Sequence, residues 1–282
     1  MSRGIVDEIM EWADSLSPAD LDTRLVGKFH SDLLLLERLF AEGIEPVFRT
    51  VESSPAILNI AKHIERLFAA IDSDGLLPPV KPGSSPFSLT TERAIARTQA
   101  SEEVLRPDEW NETDYKKLLR GLCRSYETLY ETLIAEKLGR LAGFIAGGKA
   151  PREKAQVLKC IAEYCKGKFA QLVEPFVPVI RNSIAHKDYI IDNKVPRITF
   201  RDRDKPTITL SVDQFRHLCA CLLQWSVAFD YVVFKREEPM LKALILKMRK
   251  LQTFMAKSGL RLRDAQPGSS LVELANSIPD NK

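Results

Sequence analysis

The sequence predicts a mainly helical protein with a small antiparallel β-insert, and three observations carry that expectation. Apolar residues recur at three- and four-residue spacing over most of the 282 residues, as helices with one buried face require. Between 189 and 210 the spacing changes to two, the period of half-buried strands. Leu76 to Ser88 carries Pro78, Pro79, Pro82 and Pro86, with serines beside Gly83, too many prolines for a regular element, and reads as a linker.

Taken in order, residues 5–15 form a short amphipathic candidate. Ser17 then caps a helix with Pro18 in its first turn, running to about Glu42 with Leu21, Leu25, Phe29, Leu33, Leu36 and Phe40 on its apolar side. Another helix spans about Ser54 to Asp72, and a charged one follows the linker near 90–105. Leu118, Leu119, Leu122, Tyr126, Leu129 and Leu133 give long helical periodicity over 111–145, which Gly147-Gly148 ends. A further helix covers 151–173. Pro175 and Pro178 make the next segment either kinked or begun near Pro178, and it extends to about Lys187. Short strands are expected at Tyr189–Asp192, Arg197–Phe200 and Thr207–Leu210, joined by turns at Asp192-Asn193 and at Asp202 to Lys205. Ser211 caps a helix from Val212 to Phe234, and Pro239 allows a last one to about Lys257, before a polar tail from Asp264. There is no internal repeat.

Hydrophobic content of 45% is ample for a packed core. No N-terminal charged-then-apolar segment resembles a signal peptide, and no uninterrupted apolar run approaches the ~20 residues of a membrane span, so neither is expected. Five cysteines without disulfide-like spacing fit reduced thiols, so a cytoplasmic location is expected. The net charge of +3 hides a division: residues 1–110 carry a net −8, residues 111–263 a net +13 and the tail −2. A basic half of that size has the charge of a polyanion binder, although solvated helix faces account for part of it. The acidic half could dock on it, steadily or as a removable mask.

The chemistry concentrates in Arg181-Asn182-Ser183-Ile184-Ala185-His186. Arginine is charged at any working pH and presents a planar fork of donors suited to phosphate. Histidine titrates near neutrality and can move a proton to or from a hydroxyl. Together they suit metal-free phosphoryl transfer on RNA, in which the ribose 2′-hydroxyl attacks its own phosphate and Arg181 stabilises the five-coordinate oxyanions. One histidine supplies an acid or a base but not both, so two copies facing each other across a twofold axis are expected. Asn182 and His186 share a helix face, whereas Arg181 lies roughly 140° from His186 on a helix of about 100° per residue. Either Arg181 reaches around or the helix is ending.

The pattern R-N-x-x-A-H, preceded by Val177, Val179 and Ile180 and followed by Lys187-Asp188-Tyr189, resembles the signature of HEPN domains. That resemblance implies an all-α bundle, usually dimeric, and a metal-independent endoribonuclease of the kind found in bacterial toxin–antitoxin, abortive-infection and CRISPR systems. It assigns Arg181 and His186 as the catalytic pair and Asn182 as the residue that orients them, with no cofactor and no metal. The expected partners are RNA, a second copy of the chain and a neutralising or regulatory protein, with no membrane. A tyrosine two places past the histidine marks one toxin branch; here Tyr189 stands three places past. The expected organisation is an acidic N-terminal helical domain over 1–75, a linker and charged helix over 76–110, a HEPN-like bundle over 111–258 with the β-insert at 189–210, and a polar tail over 259–282. The alternative is a non-catalytic module of the same fold that binds nucleic acid or protein.

Other motifs are weaker. Gly143 to Lys149 fits G-x4-G-K, but Ala150 replaces the hydroxyl residue that would hold magnesium, and a helix precedes it where a phosphate loop needs a strand. His217, Cys219 and Cys221, with Cys160 and Cys165, lack zinc-knuckle spacing and read as thiols of an apolar helix. His30 and His63 have no assigned role. Asp202 and Asp204, among Arg201, Arg203 and Lys205, read as a solvated hairpin tip able to touch RNA.

Overall fold

The computed structural model describes residues 41, 44–77, 111–148, 151, 153–203 and 205–258. The expected helices at 5–15, 18–42 and 90–105, most of the linker, the tail, His30, Lys149-Ala150 and Asp204 lie outside the described residues. The protein is mostly helical with one three-stranded antiparallel sheet, and it divides into two compact units.

In one unit, α1 (Glu45–Ser53) accompanies the residues of the last helix from Tyr231 on. Val51 is fully buried, the Phe48 and Tyr231 rings lie 5.0 Å apart, and the Lys235 ammonium sits 5.6 Å from the Tyr231 ring. The sequence pattern predicts no element at 45–53, so this helix is an addition.

The other unit holds the remaining described elements, with the last helix as far as Asp230. Helix α2 (Pro55–Ser73) lies within a residue of the expected span, begins with proline in its first turn, and buries Ala61, Ile64, Leu67, Phe68 and Ile71 along one face. Helix α3 (Tyr115–Thr128) starts at Asp114, whose Oδ1 accepts from the Lys116 and Lys117 amides. It passes through a π-helical turn, Leu129–Ile134, into α4 (Ala135–Ile145), so the uniform helix expected over 111–145 is corrected at its centre. The wider π turn shifts the helix phase, burying Leu129, Tyr130, Leu133 and Ile134 and leaving Glu131 half-buried. Gly147 and Gly148, both with positive φ, end α4, as the sequence predicts.

Helix α5 (Lys154–Tyr164) is shorter than the expected 151–173, because the chain turns at Gly167 (φ 79°) and continues as one 3-10 turn, Ala170–Leu172. Helix α6 (Pro178–Ala185) begins at Pro178 and is not kinked. Strands β1 (Tyr189–Ile191), β2 (Arg197–Phe200) and β3 (Ile208–Ser211) follow in the order β1-β2-β3, within a residue of the expected limits. Phe200 pairs with Tyr189 and Ile208, and Ile198 with Ile191 and Leu210, which puts the apolar residues on the inner face and the bonded Thr199–Thr209 pair on the outer one.

Helix α7 (Val212–Ser258) opens with a reciprocal cap: Ser211 Oγ accepts from the Gln214 amide, and Gln214 Oε1 accepts from the Ser211 amide. It runs through Pro239 without the expected break; interior proline costs one backbone hydrogen bond and typically ~3 kcal/mol. Val212–Pro239 is long and apolar enough to span a bilayer by length and composition, which corrects the expectation drawn from uninterrupted runs. Half of its most apolar window is buried inside the protein.

Aromatic rings link these elements. Phe68 meets Phe229, Phe229 stacks on Trp225, Trp225 meets Phe176, and Phe176 meets Tyr130. Tyr130 stacks on Tyr126, Tyr126 contacts Phe215, and Phe215 meets Phe200, with centroids 5.0–6.3 Å apart along the series. Beside it the buried Lys137 ammonium donates to Ser226 O, Ser226 Oγ and Asp230 Oδ2 at 2.7–2.9 Å, fastening α4 to α7. Phe200 is fully buried where sheet and helix meet. Phe200→Ala should therefore lower stability by about 3–5 kcal/mol, measured by denaturant unfolding; a loss under about 1 kcal/mol would contradict this packing.

Candidate active site

The motif occupies α6 and its C-terminal cap. Tyr126 Oη donates to Val177 O just before α6, and the Arg181 amide donates to Val177 O at 3.2 Å. The helix closes at His186, whose amide donates to Asn182 O at 2.9 Å. Lys187 then adopts φ 56°, its amide bonding Ile184 O, and the Asp188 amide bonds Ser183 O. This is a Schellman closure in which lysine holds the position glycine usually fills. The helix is therefore ending at the histidine, one of the two geometries the spacing allowed.

Arg181 and Asn182 are brought together. The Arg181 Nε donates to Glu131 Oε1 at 2.7 Å and its Nη1 to Asn182 Oδ1 at 3.0 Å. The Asn182 amide nitrogen donates to Asp202 Oδ2 at 2.9 Å, where Lys205 Nζ also donates at 2.6 Å. A continuous chain thus runs Lys205–Asp202–Asn182–Arg181–Glu131, joining the β2–β3 turn, α6 and the π turn. Arg181 Nη2 makes no hydrogen bond among the described residues, and the Arg181 side chain is about a quarter exposed. His186 is exposed, and its imidazole has no hydrogen-bond partner among the described residues. No hydrogen bond joins it to Arg181; the two are linked through Asn182, one helical turn before the histidine.

Ser183 is buried; its Oγ donates to Asp188 O and accepts from the Arg201 amide, which also donates to Asp188 O. These bonds fix the β2–β3 turn against the end of α6. Lys187, Arg201, Arg203 and Lys205 are all exposed, a basic border around the site.

Asp202 departs from the sequence reading. It is 9% exposed, not the solvated tip expected, and the donors Lys205 and Asn182 hold its carboxyl below the usual carboxylate range. The period of two could have found it, since Ile198, Phe200 and Asp202 continue one inward-facing row. Glu131 was missed because its partner is 50 residues away. Burial pushes the Tyr130 phenol up to about 12, the nearby Arg181 charge offsetting part of that rise, and raises Tyr126 as well. Neither phenol is an acid or base for the site near neutral pH.

The rival constellations do not converge on Arg181. Cys219 is buried with Sγ toward Leu122 O, while Cys221 Sγ and His217 Nε2 lie 3.5 Å apart. All five cysteines are free, and burial raises Cys219 and pushes Cys123 up to about 12 and Cys165 to about 11. Among the described residues no cluster of three His, Cys, Asp or Glu could hold a metal ion. An open apolar groove of about 350 Å³ is lined by Val177, Ile180, Ile208, Leu210, His217 and Cys221 among others. Neither Arg181 nor His186 lines it. Gly143 to Gly148 form the end of α4 and its turn. His63 Nδ1 lies 3.2 Å from Gln171 Nε2.

Comparison with protein-family models, with curated proteins and with solved structures finds no match to this chain.

The Asp202 carboxylate yields a pH signature. Its folded pKa is depressed, so its stabilising contribution is complete above the unfolded value near pH 4 and is lost as pH falls through the lower folded value. Asp202→Asn should therefore lower stability at neutral pH and flatten its decline below about pH 4. Parallel acid-unfolding curves for variant and wild type would contradict this.

Proposed function

We propose that the protein is a metal-independent endoribonuclease acting on single-stranded RNA, of the HEPN type that the sequence motif resembles. The observation that carries the reading is an exposed imidazole without a partner among the described residues, five residues past a guanidinium whose Nη2 makes no hydrogen bond among them. The ribose 2′-oxygen forms the new bond to phosphorus as an imidazole takes its proton. The bond from phosphorus to the 5′-oxygen breaks, and that oxygen receives a proton from a second imidazole. The products are a 2′,3′-cyclic phosphate and a 5′-hydroxyl. Arg181 stabilises the phosphorane oxygens, His186 moves the proton, and Asn182 aligns the guanidinium. Because each chain carries one such histidine, the reading includes a homodimer in which two His186 side chains face one linkage. Bacterial defence or toxin–antitoxin growth arrest in the cytoplasm, under a neutralising or regulatory protein, is the setting it implies.

The Arg181–Glu131 ion pair favours a second reading. A guanidinium already neutralised fits a non-catalytic module that keeps the motif for structure and binds nucleic acid or protein.

Purified protein should cut single-stranded RNA in EDTA and leave 2′,3′-cyclic ends. His186→Ala should reduce the rate about 10²–10⁴-fold and Arg181→Ala about 10²–10³-fold, with circular dichroism unchanged. Binding without cutting supports the module instead; cutting that survives both substitutions overturns the assignment.

A further inference from the structure

Among the described residues two that are not glycine adopt a left-handed backbone, Lys187 (φ 56°) and Arg203 (φ 48°). Side chains with a Cβ are disfavoured there and glycine is not. Lys187 closes α6, and Arg203 is the first central residue of a turn in which the Lys205 amide donates to Asp202 O at 2.9 Å. Either turn would close at least as well on glycine. Both positions carry a long cation, both side chains are exposed, and neither makes a hydrogen bond or ion pair among the described residues.

Their placement is also shared. Lys187 follows His186 directly, and Arg203 follows Asp202, which holds Asn182. A cation is mildly favoured at both positions, by the Asp202 carboxylate at 203 and by the C-terminal end of α6 at 187, but neither effect calls for a side chain on a left-handed backbone, and strain of that kind collects at functional sites. The nearby Asp202 carboxylate accepts from Lys205 and Asn182 and also feels the Arg203 charge, so one carboxylate faces two cations and balances only one.

We propose that Lys187 and Arg203 grip the backbone phosphates flanking the reacting linkage of a single-stranded RNA. The proposal rests on the ribonuclease reading for the identity of its ligand and on the two backbone conformations for its residues. Arg203 presents a fork that can bridge two phosphate oxygens, and Lys187 a compact point charge.

The test uses the full chain and a 2′-O-methyl oligoribonucleotide, which lacks the attacking hydroxyl, with binding followed by fluorescence anisotropy across a salt series. Lys187→Gly and Arg203→Gly should each weaken binding and reduce the slope of log affinity against log salt by about 0.7. Their thermal midpoints should hold or rise, by about 2–4 °C where strain is fully relieved. Affinity falling while stability is kept is a combination that a merely structural residue does not give. Unchanged affinity in the double variant, or a lowered midpoint with an unchanged salt slope, overturns the proposal. Lys187→Asn, which tolerates the same backbone, gives a second reading of position 187 and should also lose slope. Cleavage of the unmodified RNA, measured in parallel, separates the two levels. A wild type that grips the analogue without cutting RNA keeps the grip and removes the nuclease; one that cuts while the double variant binds as tightly removes the grip alone.

Discussion

The hydrogen-bond chain from Lys205 through Asp202, Asn182 and Arg181 to Glu131 is the constraint on which the geometry of the motif depends. An asparagine side chain has one acceptor end and one donor end. With Asp202 taking the donor, the carbonyl must face Arg181, and the guanidinium is held from two sides, by that carbonyl and by Glu131. Each member is only partly exposed apart from Lys205, so the bonds are stronger than they would be in open water. The chain also alternates in sign, cation to carboxylate and guanidinium to carboxylate, which lets five polar groups share a small volume without an uncompensated charge.

That arrangement is possible because three non-helical features sit where they do. The π turn brings Glu131 to Arg181 while its neighbours Tyr130 and Leu133 remain in the core. The Schellman closure ends α6 at the histidine and leaves its ring in solvent. The β2–β3 turn, fixed to α6 by Ser183 and Asp188, delivers Asp202. The aromatic series behind them, from Phe68 to Phe200, supplies the rigid support. The small sheet thus provides one of the groups that hold the motif in place.

Much of this was legible in the sequence, and the limits have physical causes. The strands, the cap at Ser211, the start of α6 at Pro178 and the glycines after α4 all follow from local rules, and local rules held. The π turn was hidden because its apolar residues satisfy helical periodicity on either side. The continuity of α7 through Pro239 was hidden because the cost of proline is set by packing that no local pattern records. At the site, the motif residues were visible, but their partners were not: Glu131 lies 50 residues before Arg181 and Asp202 lies 20 after Asn182. Sequence proximity to Arg201 and Arg203 made Asp202 look like one charge among many, although its position two past Phe200, continuing the inward row of β2, marked it out.

The left-handed cations add a different kind of information. Packing and hydrogen bonding explain why Asn182 and Asp202 occupy their places; they do not explain why the left-handed positions 187 and 203 carry long side chains where glycine fits the backbone better. Both lie beside the motif, so the account joins a held guanidinium, an exposed imidazole and a basic border into one surface for a phosphate chain. The most direct measurement is NMR of the protein labelled with ¹⁵N in its four histidines, titrated with an uncleavable RNA analogue. The account predicts that the ring signals of His186 move with saturation while those of His63 and His217 stay in place; ring signals of His186 that do not respond, or a response centred on His217, would contradict it.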